Sequence, residues 1–252
     1  MQKVILLSLL VWLPVLAGAQ GRTNLGDTII NAKMLQVSYA LQFPFGDMAD
    51  RFGNDNCFGL SFNFKIKNNW MIGVEADYLF GGNIKEDTII DYLFTSQGFL
   101  LGTTGYAESV LLFERGMSFF GKFGKVFPLV EQNPNSGINV MFGAGFLQHR
   151  IKIEDPEHAV PYVTGDYAKG YDRLTNGFAI SQYVGYLNLD KRKYLNFNAG
   201  LELIEAFTKN RRPYNFDQMK KDDSNRIDIL LGLKIAWVLP LYGKGEQRYY
   251  TY

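Results

Sequence analysis

His149 is the residue in this sequence that is best suited to chemistry. It falls near the end of one alternating apolar segment, and Ser181 falls in the next such segment along the chain. A histidine in contact with a serine can act as its general base in acyl transfer. The interpretation that we favour is a buried histidine, hydrogen-bonded within the interior. His158 stands beside Glu157 and is expected to be solvated.

Other catalytic and metal-binding patterns are missing from the sequence. One Cys and two His provide too few ligands for a Cys/His metal centre. There is no nucleophile elbow, zincin motif, phosphate loop or dinucleotide fingerprint. We therefore expect no catalytic residue, no metal and no cofactor, and we predict that the protein is not an enzyme. Nearly equal numbers of basic and acidic residues, 26 and 25, argue against a nucleic-acid partner.

The first residues of the chain have the pattern of a cleaved signal peptide. Lys3 precedes an apolar run from Val4 to Leu16, and Ala17-Gly18-Ala19 is a small-residue cleavage site. The apolar run is too short to span a membrane core of roughly 30 Å. We therefore predict that residues 1–19 are removed and that the mature chain begins at Gln20.

The rest of the chain is organised by an alternation of apolar and polar residues. A two-residue period places one set of side chains on each face of a strand, and eight segments show it. For the segment 116–127 the phase is uncertain. The segments are 33–43, 57–66, 70–80, 116–127, 138–151, 177–187, 194–204 and 226–238.

Long and short connections alternate between these segments, as in outer-membrane barrels with short periplasmic turns and long external loops. We predict an all-β fold, an eight-stranded antiparallel transmembrane β-barrel with meander topology over residues 33–238. A periplasmic segment 20–32 would precede it, and a periplasmic tail 239–252 would follow. The protein would then reside in the cell outer membrane, in contact with lipid and lipopolysaccharide. The alternative is a soluble, lipocalin-like barrel, in which the apolar set would line the cavity.

The polar face of the strands carries charges of both signs. An eight-stranded barrel encloses a space that side chains fill, and buried charges must be paired. We therefore predict a charge network in the lumen and no general diffusion pore. The members of this network are Lys65, Glu75, Asp77, Glu202, Arg226, Asp228 and Lys234.

Aromatic residues mark the predicted periplasmic side. Trp70, Tyr194 and Trp237 fall at strand ends on that side and would form an aromatic girdle. The tail is rich in tyrosine, which is enriched in protein interfaces, so it is a possible docking segment. A disordered tail, or one folded back under the barrel, fits the sequence equally well. The tyrosines of the tail are Tyr242, Tyr249, Tyr250 and Tyr252.

Two charged loops could bind ions. Loop 44–56 holds oxygen ligands that suit Ca²⁺, but their spacing differs from that of an EF-hand, and we favour a solvated acidic loop. Loop 205–225 could pair with lipopolysaccharide phosphates or pair internally. The residues concerned are Asp47, Asp50, Asn54 and Asp55 in the first loop, and Lys209, Arg211, Arg212, Asp217, Lys220, Lys221, Asp222 and Asp223 in the second.

The signal peptide ending at Ala19, the eight alternating strands and the aromatic-rich composition resemble outer-membrane β-barrel proteins of Bacteroidota. Segments that resemble recurring pieces of that group are Gly53-Asn54, Trp70–Glu75, Asn133–Ile138 and Lys169–Gly177. Small barrels of that phylum include integral subunits of type IX secretion and of the barrel-assembly machinery. The resemblance therefore implies a non-enzymatic accessory role with protein partners in an envelope complex. The alternatives are a lipid-modifying outer-membrane enzyme of the acyl hydrolase or transferase type that uses His149, and a small solute channel.

Overall fold

The computed structural model describes residues 29, 31–129, 133–157, 159–189 and 195–241. Eight long strands form the main sheet, and a two-stranded hairpin lies in the loop after the third strand. The predicted signal peptide, His158, Tyr194 and the four tail tyrosines lie outside the described residues. The strands are β1 (Ala32–Gly46), β2 (Asp55–Lys65), β3 (Trp70–Gly81), β4 (Leu100–Leu101), β5 (Ala107–Glu108), β6 (Leu111–Pro128), β7 (Gly137–Glu154), β8 (Thr175–Asn188), β9 (Phe197–Asn210) and β10 (Asn225–Leu241).

The eight long strands close into a barrel. Each pairs antiparallel with the next long strand in the chain, and β1 pairs with β10 to complete the ring. The closing register runs from Lys33 opposite Leu241 to Gly46 opposite Asp228. Closure gives hydrogen-bond partners to the backbone groups at both edges of the sheet, which the hydrocarbon core of a membrane requires. The prediction of an eight-stranded antiparallel meander is confirmed.

Most strands extend further at one or both ends than the alternation of apolar residues predicts, although β9 begins later. β9 begins at Phe197 rather than at residue 194 and continues to Asn210, and β7 continues to Glu154. β10 includes Leu239 and Pro240, which the sequence assigns to the tail, and its last residue is Leu241. Backbone pairing continues beyond the apolar band, where the alternation of apolar and polar side chains no longer marks the strand.

The two faces of the barrel wall have opposite chemistry. Charged residues point inward, while an apolar belt covers the outside, with side chains that are 45–61% exposed in the eight positions that follow. A lipocalin-like barrel would show the reverse arrangement, so the exposed belt is that of a transmembrane β-barrel. One member from each long strand is Val37, Leu60, Val74, Phe119, Phe142, Val184, Leu201 and Ile235.

The connections differ between the two ends of the barrel. Short turns join β2 to β3, β6 to β7 and β8 to β9, and long loops join the other strands; the described residues of the long loops are 47–54, 82–110, 155–157 with 159–174, and 211–224. In the first short turn, Asn68 and Asn69 adopt positive φ angles of 64° and 62°, a conformation that asparagine tolerates better than most residues. We call the long-loop end the outer end. Among the described residues, no helix is long and apolar enough to cross a membrane.

Candidate functional site in the barrel interior and outer loops

Four charged side chains meet at the centre of the lumen. Lys234 donates hydrogen bonds to Glu75 Oε1 and Glu202 Oε2, each at 2.8 Å. Lys122 donates to Glu75 and, at 2.5 Å, to Glu202 Oε1. All four side chains are at least 92% buried. Each ammonium therefore contacts two carboxylates, which is the condition under which charges persist in a buried site.

Neutral and acidic neighbours complete this central cluster. Ser118 donates to Asp77 Oδ2 at 2.9 Å, and Ser181 donates to Glu202 Oε1 at 2.7 Å. Asp77 Oδ1 lies 3.5 Å from Lys234 Nζ. The cluster thus joins side chains from β3, β6, β8, β9 and β10 across the barrel.

Lys122 is absent from the network predicted by the sequence. It belongs to the segment 116–127, where Phe120 points inward although Phe119 and Phe123 on either side of it point outward. Because bulky aromatic residues occupy both faces, the alternation is weak there. The small and polar residues Ser118 and Gly124, in phase with Lys122, are the signal that identifies its inward position.

Three residues of the predicted network lie away from the central cluster. Lys65 is buried near the short-turn end and donates to Asn135 Oδ1 at 2.8 Å. Arg226 lies at the outer rim, where it donates to Asp222 Oδ2 at 2.5 Å. Asp228 accepts from Thr208 Oγ1 at 2.5 Å and lies 2.9 Å from His149 Nε2. The lumen therefore holds separate charged groups at successive heights rather than one network.

His149 is fully buried in the outer half of the lumen. Its ring meets that of Phe52 edge to face, with 5.4 Å between centroids, and its hydrogen-bond partner is Asp228. Ser181 is not its neighbour, because His149 pairs with Thr175, six residues before Ser181 on the same strand. At about 3.3 Å per residue, this is a separation of roughly 20 Å. The proposed His149–Ser181 pair is therefore wrong, and His149 has the interior role that the sequence analysis favours.

Apolar layers fill the lumen above and below the central charges. Near the short turns, Met34, Met71 and Met141 pack with Tyr183 and Val238. In the outer half, Met48 and Phe52 descend from the first long loop, and they belong to a buried cluster that also contains Leu79, Leu147, Ile151 and Leu230. A cavity of about 20 Å³ remains beside the charges, which is enough for a single water molecule. The described interior is thus a packed core.

The four long loops are tied together by arginine–carboxylate pairs that we call the outer cap. Arg173 Nε donates a hydrogen bond to Glu86 Oε1 at 3.0 Å, and Arg51 Nε lies 3.1 Å from Glu86 Oε2 as an ion pair. Arg173 also binds Asp217 with two hydrogen bonds of 2.8 and 2.5 Å. These residues come from loops 47–54, 82–110, 155–174 and 211–224, so the cap links every long loop to the next. A further bidentate pair joins Arg212 to Asp172.

Electrostatics stabilise the charged forms in the outer cap. Burial opposes the charge of Arg173, but the carboxylates of Asp217 and Glu86 hold its pKa above the ordinary value. A hydrogen bond to Asp172 raises the pKa of Arg212. Burial likewise disfavours ionised Asp222, yet hydrogen bonds from Arg226 and Ser224 lower its pKa to about 2. Arg173 keeps a positive φ of 50°, a strained conformation for a bulky residue that surrounding contacts must maintain.

The charged loops do not form the calcium site considered from the sequence. Asp47 accepts a hydrogen bond from the backbone of Ile227 at 2.7 Å, while Asp50 and Asn54 are exposed and Asp55 points into the lumen. In the loop 205–225, Arg212, Asp217 and Asp222 are committed to internal pairs of the outer cap. Among the described residues, no three His, Cys, Asp or Glu side chains are grouped to hold a metal ion.

The two described girdle tryptophans are exposed near the short-turn end. Trp70 is the first residue of β3, and Trp237 lies four residues before the last residue of β10. The Trp70 ring stacks on Phe123 with 4.9 Å between centroids, and Lys125 Nζ lies 5.2 Å from its centre. An aromatic ring beside a cationic head suits the boundary between hydrocarbon and headgroups.

Comparisons with known proteins give no family for the chain. No protein-family model matches it, and no curated protein matches it. Solved structures with similarity include the attachment invasion locus protein Ail of Yersinia pestis, at 10% identity and a TM-score of 0.44, covering 84% of this chain and all of that one. Neisserial surface protein A has 11% identity and a TM-score of 0.36, with 82% and 98% of the two chains covered.

The outer membrane protein OprG of Pseudomonas aeruginosa has 9% identity and a TM-score of 0.34, with 86% of this chain and 99% of that chain covered. Because these likenesses are weak, the fold assignment depends on the barrel's own geometry. That geometry is a closed ring of eight strands with an apolar exterior and a paired, packed interior, and it is the fold of bacterial outer-membrane barrels.

Proposed function

We propose that this protein is an integral outer-membrane protein that acts by binding other envelope components at its surfaces. In this proposal it is a non-enzymatic structural or accessory subunit of an outer-membrane assembly or secretion complex. The observation that carries the proposal is the packed interior, in which paired charges and two layers of buried apolar side chains fill the described lumen beneath the outer cap. A protein with such an interior has its outer loops, its lipid-facing wall and its chain ends available for function.

Lipid is the first partner in this proposal. The apolar belt fits hydrocarbon, and Lys220 and Lys221 are exposed at the outer end, where lipopolysaccharide phosphates would lie. Fractionation of cells tests the location directly. We expect the protein in the outer-membrane pellet after a carbonate wash, and as a faster-migrating form on gels when the sample is not boiled. Release into the wash would refute an integral membrane location.

Protein partners are the second part of the proposal. Its supports are the resemblance to Bacteroidota barrels and the tyrosine-rich tail, both of which stay predictions. The test is affinity purification from native membranes of the full chain and of a chain truncated after Gly243. We expect a reproducible partner with the full chain and its loss on truncation. Full recovery with the truncated chain would move the docking site to the loops or the wall, and no specific partner with either chain would contradict the accessory role.

The two alternative functions have less support. In a lipid-modifying enzyme that uses His149, the nucleophile would have to be a threonine, because Thr175 stands opposite His149 and Thr208 shares its partner Asp228. Neither hydroxyl donates to the histidine, since Thr175 donates to the Arg173 carbonyl oxygen and Thr208 to Asp228. A solute channel needs a continuous path through the lumen, and the layers of buried side chains in its described part argue against one. Planar-bilayer recordings test the channel, and a large steady conductance would overturn the proposal. Mass spectrometry of lipid A, with and without His149→Ala, tests the enzyme.

A further inference from the structure

Two acidic side chains meet in the outer half of the lumen without a cation. Asp55 begins β2 and Glu114 belongs to β6, and their exposed fractions are 0% and 1%. Between them, β3 presents Gly81, where a Cβ atom would lie 3.1 Å from Asp55 Cβ and 3.3 Å from Glu114 Oε2. A larger residue would therefore crowd the two side chains. Glycine at this position leaves free the space into which the two acidic side chains extend.

These carboxyl groups lack the partners that other buried acids of the barrel possess. Both carboxyl oxygens of Asp55 and Oε1 of Glu114 are buried and accept no hydrogen bond from any described residue. The nearby Arg115 does not compensate, because its guanidinium donates to the Glu114 carbonyl oxygen at 2.7 Å and lies over the Phe113 ring. A buried carboxylate without a partner is strongly disfavoured. Glu75 and Glu202, by contrast, each receive two ammonium groups.

A fourth unpartnered oxygen is supplied by the neighbouring strand β1. Gln42 of β1 stands directly opposite Asp55 in the register, is 2% exposed, and has a buried Oε1 atom without a hydrogen-bond partner. Directly opposed residues have Cβ atoms about 4.5–5.5 Å apart, so the amide can reach the carboxyl group. Three neighbouring side chains on β1, β2 and β6 thus each have a buried oxygen without a hydrogen-bond partner among the described residues. Carboxylate and amide oxygens are the ligands that Ca²⁺ takes in proteins.

We propose that Asp55, Glu114 and Gln42 bind one calcium ion in the outer half of the lumen, beneath the long loops. Two carboxylates balance the charge of the ion, which accounts for an acidic pair with no cationic side chain. This site differs from the one considered from the sequence, since Asp47, Asp50 and Asn54 take no part. It also goes beyond the proposed function, because the ion would join β1, β2 and β6 whatever the protein binds outside.

The experiment must load the ion during folding, because the site is buried. The full mature chain is unfolded in urea with EDTA and refolded into detergent micelles with calcium chloride, with magnesium chloride or with EDTA. After gel filtration, bound metal is measured by elemental mass spectrometry, and unfolding is followed by the loss of the fast-migrating form on unboiled gels. We expect one retained calcium ion per chain and a higher unfolding temperature than in EDTA.

Asp55→Asn and Glu114→Gln preserve side-chain size, remove one charge each and should fold. We expect each to weaken calcium binding by at least about tenfold, as loss of a charged ligand does, and to make the unfolding temperature independent of calcium. Asp50→Asn, which changes an exposed acid in the first long loop, is the matched control and should behave as the native chain.

Three results would overturn the calcium site. The first is a native chain that retains no calcium, and the second is an Asp55→Asn chain that retains as much as the native one. If the native chain retains none and Asp55→Asn is the more stable protein in EDTA, then the two carboxyl groups share a proton instead. Retention of magnesium in preference to calcium would also reject the assignment.

Discussion

Lys122 and Lys234 stand on diametrically opposite strands of the barrel, yet both donate hydrogen bonds to the same oxygen, Oε1 of Glu75. In the ring of eight long strands, β6 and β10 are separated by three strands on either side. The two side chains therefore cross the lumen from opposite walls and meet at one carboxylate. The contact braces the barrel across its diameter, and Glu202 strengthens it by receiving the same two ammonium groups.

Replacing Glu202 with Leu should destabilise the barrel strongly. The change leaves two buried ammonium groups with half of their carboxylate partners, and breaking a buried pair in this way costs about 3–5 kcal/mol. Urea unfolding in detergent or lipid vesicles measures the free energy. Glu205→Leu is the matched control, since Glu205 lies on the same strand with the opposite orientation. Equal stability of the two variants would show that the ion pairs of Glu202 across the lumen do not stabilise the barrel.

Replacing Asp228 with Leu should leave His149 Nε2 and the Thr208 hydroxyl without a partner. Each unsatisfied buried group costs about 1–3 kcal/mol. The buried base that loses its partner is thus the histidine, and not a lysine or arginine of the predicted network. The double variant His149→Phe with Asp228→Leu should recover part of the loss, because the histidine then no longer needs a partner. Additive losses in the double variant would show that the two residues are not coupled.

Arg173→Ala should loosen the outer cap while the barrel stays folded. Arg173 binds both Glu86 and Asp217, so its loss separates three of the long loops. We expect trypsin to cleave after the exposed Lys220 and Lys221 several times faster than in the native chain. Lys169→Ala is the control, because its ion pair with Asp166 is exposed and such pairs contribute little. Unchanged cleavage in Arg173→Ala would refute the cap.

Acid should loosen the loop 211–224 only at pH values below the ordinary pKa of an aspartate. The pKa of Asp222 falls from 3.8 to about 2 in the folded chain, so its contribution to stability is present above pH 3.8 and is lost as the pH falls through about 2. Pepsin cleavage of this loop, relative to Asp222→Asn at the same pH, should be slower at about pH 4, and most of this difference should be gone near pH 2.

Asp223→Asn is the control for the acid experiment, because Asp223 is exposed and pairs with the exposed Lys221. We expect it to follow the native profile. If the native chain and Asp222→Asn are cleaved at equal rates at both pH values, then the ion pair between Asp222 and Arg226 does not hold the loop.

The alternation of side chains was sufficient to predict the barrel, and it also identified the inward positions of Glu75, Asp77, Glu202 and Lys234. These predictions succeed because the period of a strand is a local property of the chain. The partners of each charge are not local. Arg226 lies on the same face of β10 as Lys234 but at the outer rim, so the two residues have different partners. The alternation shows which face a residue occupies, but not which side chains of other strands lie at its level.

The outer cap was beyond prediction for a related reason. Glu86, Arg173 and Asp217 belong to three loops that meet only after the barrel closes, and loops carry no periodicity that would orient their side chains. Asp55 shows a second limit. In the sequence, Asp55 is one of four acidic or amide residues assigned to a loop. Only the structure shows that β2 begins at Asp55, so that its side chain, unlike the other three, points into the lumen.

The meeting of Glu75 with Lys234 also constrains the order of assembly. Glu75 is on the second strand after β1, whereas Lys234 is on the last strand, so the central cluster cannot be completed until β10 has returned to β1. Until then, the ion pairs of Lys234 with Glu75 and Glu202 are not formed, and these groups keep their water. Final closure of the ring and dehydration of the cluster must therefore be a single event, and an insertion intermediate that lacks β10 would carry a wet, charged cleft along its open side.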